Sequence, residues 1–219
     1  MNSAINSFLL VYAGLFPIVD PIGGAPIFLG LTRRVSEEKR RALAAQVAIN
    51  GFFLLLGSLF LGSYVLEFFG ITLPVVRIAG GLVVASFAWK LLHENVELQD
   101  HSDAGAAASE NRPIDAFYPL TMPLTVGPGS ISVALALGAN PEDSVRSLLT
   151  TAAAHALGIL IVALLVYLCY RYADAILRRF GATGAAVLTR LSAFIMLAIG
   201  VQIAWNGIRA LLATLPHAA

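Results

Sequence analysis

The chain has 219 residues; 58% are apolar, only 12% are Asp, Glu, Lys or Arg, net charge is +1 and mean hydropathy is +0.80. A soluble domain carries about 25% charge, so a secreted enzyme and a nucleic-acid binder are excluded, and a disulfide scaffold is excluded by the single cysteine, Cys169, which reads as a small core residue. What remains is a polytopic membrane protein whose apolar segments are each long enough to cross a hydrocarbon core about 30 Å thick.

In chain order, six segments are predicted: Ser3–Leu31, Leu43–Leu66, Thr72–Leu92, Phe117–Ala139, Ser147–Tyr170 and Val187–Leu211. Their length and lack of period-2 alternation make them helices rather than membrane strands. The first is not a cleavable signal, since it lacks a basic leading region and a small-residue cleavage site. Between the third and fourth lies the one long polar stretch, His93–Asp115, which reads as a flexible cytoplasmic linker. The predicted division is therefore 1–92 as a first three-helix repeat, 93–115 as linker, and 116–219 as a second repeat, together one membrane domain. Lys and Arg split 11 to 3 between the two sides, the heavier side holding Arg33, Arg34, Lys39, Arg40, Arg41 and Arg171, among others. By the positive-inside rule the loops after spans 1, 3 and 5 are cytoplasmic and both termini are periplasmic.

The halves repeat one another weakly but in order. Phe16-Pro17 with Pro21 and Gly23 is answered by Tyr118-Pro119 with Pro123 and Gly127. Arg41 is followed at five and nine residues by Gln46 and Asn50, and Arg146 at the same intervals by Thr151 and His155. Phe69-Gly70 and Thr72 join spans 2 and 3; Phe180-Gly181 and Thr183 join spans 5 and 6. Spans 3 and 6 open with Arg77-Ile78-Ala79 and Arg190-Leu191-Ser192. Three spans per half is an odd number, so the expected fold is all-α, six helices in a 3+3 inverted-topology repeat. Helices 1 and 4 are expected to be interrupted, at Asp20–Pro26 and Thr125–Ser130, because paired prolines and glycines remove backbone donors and lower helix propensity. Peptide groups freed at that depth survive only against protein or a wet cavity. Proline kinks that serve packing alone are the plainer alternative.

The runs Asp20–Pro26, Arg77–Leu82, Pro119–Ile131 and Gly200–Gly207 resemble the MarC family of bacterial inner-membrane proteins, which includes the neutral amino acid transporter SnatA. The resemblance covers nearly the whole chain. The family in turn resembles the wider LysE-type exporter group, which implies a six-helix inverted repeat in the inner (plasma) membrane. The resemblance also implies movement of small neutral amino acids, such as glycine and alanine, coupled to protons.

Asp20 is the leading candidate. A carboxylate inside a span costs about 2.5–3.5 kcal/mol on insertion scales, and here it could bind a proton, a sodium ion or a substrate ammonium; as Asp before Pro it also suits a helix N-cap. Gly127, Gly129 and Ser130, with Gly23 and Gly24 opposite, would offer N–H groups to a carboxylate, although glycines there also permit close helix packing. Thr121 and Thr125 could supply hydroxyls, unless they bond their own helix. Asn50 and His155 complete the substrate and ion set, with interhelical hydrogen bonding as the alternative for both. Gln202 and Asn206 share a helix face that could line the cavity.

The predicted function is a secondary transporter with its substrate at broken helices 1 and 4, the alternative being a passive channel or an exporter of another small metabolite. No catalytic residue and no metal site is predicted: HExxH and GxSxG are absent, and the single in-span histidine has no positioned nucleophile. No cofactor is expected beyond a proton or sodium ion as coupling ion. The partners expected are a neutral amino acid and the lipid bilayer, not nucleic acid, with a homo-oligomer left open.

Overall fold

A computed structural model describes residues 3–93, 114–138 and 145–213, and within them all regular structure is helical, with no strand. Most of the predicted polar linker lies outside the described residues. The helices are α1 (Ser3–Val19), α2 (Pro21–Leu31), α3 (Glu37–Phe68), α4 (Leu73–His93), a π-helical turn (Leu120–Thr125), α5 (Pro128–Gly138), α6 (Val145–Arg171) and α7 (Ala173–Leu212).

Among the described residues five helical stretches are long and apolar enough to cross a membrane, α1 and α2 counting together as Ala4–Leu31. The sequence reading expected six. The difference lies in the fourth segment, where Phe117–Ala139 resolves into the π-helical turn and the 11-residue α5, neither long enough alone.

Two other boundaries move for identifiable reasons. Helix α3 starts six residues before its apolar run because Ser36 caps it, its hydroxyl accepting from the Lys39 N–H at 3.3 Å, with Glu37 and Glu38 favourably placed in the first turn. Helix α7 starts fourteen residues before the predicted span: the chain turns at Tyr172, and two helical pieces meet at Gly181, the expected connector, where φ is 67° and ψ 176°. The leading segment from Ala173 is amphipathic. Leu177 packs inward while Asp174 faces Arg178 at 3.7 Å and Arg40 at 4.0 Å.

Packing runs mainly between the chain's two halves. Helix α1 lies on α6, α3 on α5 and α6, α2 on α6 and α7, and α4 on α5, while α4 and α7 make the most extensive pair. That pair is close because its contact line is glycine. A methyl on Gly81 would lie 2.5 Å from the Ala204 nitrogen, and one on Gly200 2.6 Å from that of Ala85. Small residues are how membrane helices gain van der Waals contact when lipid offers no hydrophobic drive to associate. The main core, which includes Leu15, Phe28, Val47, Leu120, Val162 and Tyr170, sits where α1, α2, α3, α6 and the π-helical turn converge. Outer faces carry exposed Phe53, Leu61, Leu82, Leu160 and Phe194, the apolar coat expected against lipid.

Candidate functional site

The first interruption is one residue wide. Asp20 separates α1 from α2 with φ 44° and ψ 64°, the only non-glycine residue at positive φ among the described residues. A residue preceding proline is pushed out of the right-handed helical region, and Asp is among the few that accept the left-handed one. Its Oδ1 accepts from the Gly23 N–H at 3.0 Å, capping α2. Two backbone bonds bridge the break, Asp20 N–H to Phe16 O at 3.0 Å and Gly24 N–H to Asp20 O at 2.9 Å, so the chain bends without leaving its span. Ser192 of α7 lies against the same carboxylate, and its Cβ would be 2.8 Å from a methyl on Gly23. A narrow cleft opens beside it, lined by Val19, Asp20, Gly24, Leu124, Thr189 and Met196 among others.

The second interruption is a different structure. Pro119 and Pro123 remove two donors, and the backbone re-pairs five residues back: Thr121 N–H to Ala116 O at 2.9 Å, Met122 N–H to Phe117 O at 2.8 Å, Val126 N–H to Thr121 O at 2.8 Å. Met122, which precedes Pro123, is the extended residue within the turn (φ −116°, ψ 124°). Two buried threonines follow the same spacing, Thr121 Oγ1 donating to Ala116 O at 2.7 Å and Thr125 Oγ1 to Leu120 O at 2.8 Å. The hydroxyls thus tie both threonines to their own helical turn, adding a second bond at Ala116 O.

One side chain ties the two interruptions together. The fully buried Tyr170, near the end of α6, stacks on Phe28 of α2 at 4.4 Å between ring centres. Its hydroxyl is 2.9 Å from Thr125 Oγ1, and a methyl on Gly24 would be 2.7 Å from the same oxygen. A second narrow cleft, almost wholly apolar, is lined by Val19, Gly51, Thr125, Val126, Val162 and Val166 among others. Val19 borders both clefts.

The remaining sequence candidates divide. Asp20, Gly23, Gly24 and Thr125 converge here. Thr121 lies one turn before Thr125 and is buried. Asn50 is half-buried on α3, next to Gly51, where an added methyl would meet Val126 at 3.3 Å. A methyl added at Gly127 would lie 3.4 Å from Pro123 O. Gly129 is turned toward α4, where a methyl would collide with Val84 and approach Gly80 O at 3.5 Å, and buried Ser130 donates to Gly127 O at 2.9 Å. His155 is buried on α6 fifteen residues before Tyr170, roughly 22 Å away along the helix. Gln202 and Asn206 lie on an exposed face, bonded to each other at 2.9 Å, rather than in a cavity. Among the described residues no group of His, Cys, Asp or Glu could hold a metal ion.

Sequence reasoning missed Tyr170, Ser192 and Thr189 as site residues. Ser192 did carry a signal, since it ends the Arg190-Leu191-Ser192 match to the start of span 3. Tyr170 carried none: a tyrosine near a span end reads as an interfacial residue, and only its contact with Thr125, 45 residues away, reveals it.

The model of the MarC family of integral membrane proteins matches residues 5–212. A UPF0056 membrane protein of Methanocaldococcus jannaschii is 33% identical over 205 residues, covering 94% of this chain and 97% of its own. The UPF0056 membrane protein YvbG of Bacillus subtilis is 32% identical over 206 residues, with 93% and 95% covered. The UPF0056 inner membrane protein MarC of Escherichia coli is 31% identical over 209 residues, with 91% and 93% covered. No solved structure matches the chain.

Proposed function

This chain belongs to the MarC family of integral membrane proteins, and from that premise we propose that it is a secondary transporter of small neutral amino acids in the inner membrane, coupled to protons through Asp20. The substrate binds where the two interrupted segments meet. The observation that carries this reading is Tyr170, which joins Gly24 of the first interruption to Thr125 of the second, each of them a lining residue of a cleft. Transporters use such junctions because broken helices leave backbone and side-chain groups to bind solute at membrane depth.

A 3+3 inverted repeat underlies this proposal and has local support in both halves. The non-helical residue precedes the second proline each time, as Asp20 and as Met122. Gly70 and Gly181, matched in the sequence repeat, have φ of 66° and 67°. Each interrupted segment packs on the other half's second and third helices, α1 and α2 on α6 and α7, and the π-helical turn and α5 on α3 and α4, apart from the π-helical turn and α4, whose contact is weaker. Exchange of the halves preserves this pattern, the symmetry that alternating access by rocking one repeat against the other requires. In this reading Asp20 binds the coupling proton, while Gly127, Gly129 and Ser130 stabilise the second interruption from the α4 side.

The test is uptake of radiolabelled glycine or alanine by the full-length protein in liposomes, with and without an imposed pH gradient. Gradient-stimulated uptake that Asp20→Asn abolishes in folded protein supports coupled transport. Uptake indifferent to the gradient makes the protein a channel, and no flux of either solute overturns the substrate assignment.

A further inference from the structure

We infer that the Tyr170 hydroxyl holds the place of the substrate's ammonium group where the two interruptions meet, so that Tyr170 and Thr125 make an amino group obligatory in whatever is carried, a claim that rests on the transporter reading above. The inference starts from proton inventory. Thr125 has one hydroxyl proton, and it goes to Leu120 O at 2.8 Å. The 2.9 Å contact between Thr125 and Tyr170 therefore has the phenol as donor and the threonine oxygen as acceptor. The Asp20 carboxylate is an electrostatic neighbour of that phenol. The carboxylate takes bonds from Gly23 N–H and from Ser192, two of the roughly four acceptor sites its two oxygens offer, which leaves further acceptor capacity.

The slot occupied by Oη thus presents acceptors. A substrate carboxylate placed there would meet lone pairs and a negative charge, whereas an ammonium, three donors and no acceptor, matches them. A neutral phenol suits the empty state for the same reason, because it keeps a buried acceptor paired without bringing in a charge. The slot is also narrow: the Gly24 side leaves no room for a methyl beside Oη. Any group that takes the position must displace the phenol, whose hydroxyl touches Thr125 in the lining of one cleft and faces Gly24 in the lining of the other. Tyr170 is accordingly the residue that sets the amino-group requirement and the cost of meeting it.

The experiment is competition for radiolabelled alanine binding to purified full-length protein, with two fragments of alanine as competitors. Ethylamine keeps the ammonium and lacks the carboxylate; propionate keeps the carboxylate and lacks the ammonium. The expected result is displacement by ethylamine and none by propionate at the same excess. Tyr170→Phe removes the hydroxyl that must be displaced, so its alanine Kd falls roughly three- to tenfold, whereas a purely structural tyrosine would leave Kd unchanged or raise it. Propionate competing as well as ethylamine overturns the inference, as does an unchanged or weaker Kd in folded Tyr170→Phe. Should that variant fail to fold, the wild-type competition still decides. Wild type that neither binds nor carries alanine overturns the proposed function and this inference with it; alanine bound and carried, with propionate competing equally, overturns the inference alone.

Discussion

The two interruptions start from the same chemical problem and solve it differently. In each half the residue before the second proline leaves the helix, Asp20 in one and Met122 in the other. At Asp20 the remedy is a charge: a carboxylate caps the next helix and remains at the edge of a cleft. At Met122 the remedy is neutral: the backbone widens to five-residue hydrogen bonds, and two buried threonine hydroxyls bond carbonyls of the same segment. The lesson is that one sequence cue, X-Pro inside an apolar run, produces a group that can exchange charge at one place and a rigid polar seat at the other. Which one forms depends on whether X can adopt positive φ and accept a hydrogen bond.

Breaking the charged side of this comparison has the largest expected effect. Asp20→Asn keeps a competent cap, since Asn and Asp rank together at that position, so melting temperature stays within the error of a detergent thermal-unfolding measurement while gradient-driven uptake falls tenfold or more. Equal loss of uptake and of stability would make Asp20 a cap only. Thr125→Val attacks the neutral side. It removes a donor from Leu120 O and strands the Tyr170 hydroxyl, a loss of about 1–3 kcal/mol that unfolding in detergent should register.

Gly24→Ala attacks the join between them. The added methyl meets the Tyr170 oxygen at 2.7 Å, while the ring carbons lie at 3.4 and 3.5 Å. The single variant should lose about 1–3 kcal/mol by overpacking, and Gly24→Ala with Tyr170→Phe should recover most of it. A double variant no better than Gly24→Ala would show that the phenol oxygen is not what fills the slot. The smallest effect sharpens the comparison from outside. Ser36→Ala removes an exposed cap on α3, costing about 1 kcal/mol, and leaves uptake unchanged, because α3 begins far from either interruption.

Much of this was legible in residues and some was not. The break at Asp20, its role as cap and the bonding of Thr121 and Thr125 to their own segment follow from proline, aspartate and threonine chemistry that acts within five residues. The π-helical turn was not legible, because proline spacing says that donors are missing without saying whether the backbone narrows, widens or unwinds. Gly181 was read as a connector since its Phe-Gly pair matches that of Gly70. Two helical pieces do meet there, and what was not legible is the helix before it, from Ala173, where Ala173 and Leu177 pack into the core.

By itself the sequence determined the membrane class, the helical state of the chain and the break at Asp20, because hydropathy and the missing proline N–H are properties of the chain that no neighbour can cancel. The second break, expected at Thr125–Ser130, lies instead at residues 120–126, with residues 128–130 inside α5. Only the tertiary structure decided which breaks share a site. Tyr170 and Thr125, 45 residues apart, meet through the packing of α6 against α2 and the π-helical turn. His155, on the same helix as Tyr170, is left about four turns away. A hydrogen bond between distant residues is fixed by how helices stack, and that stacking is a property of the whole assembly rather than of either residue's local sequence.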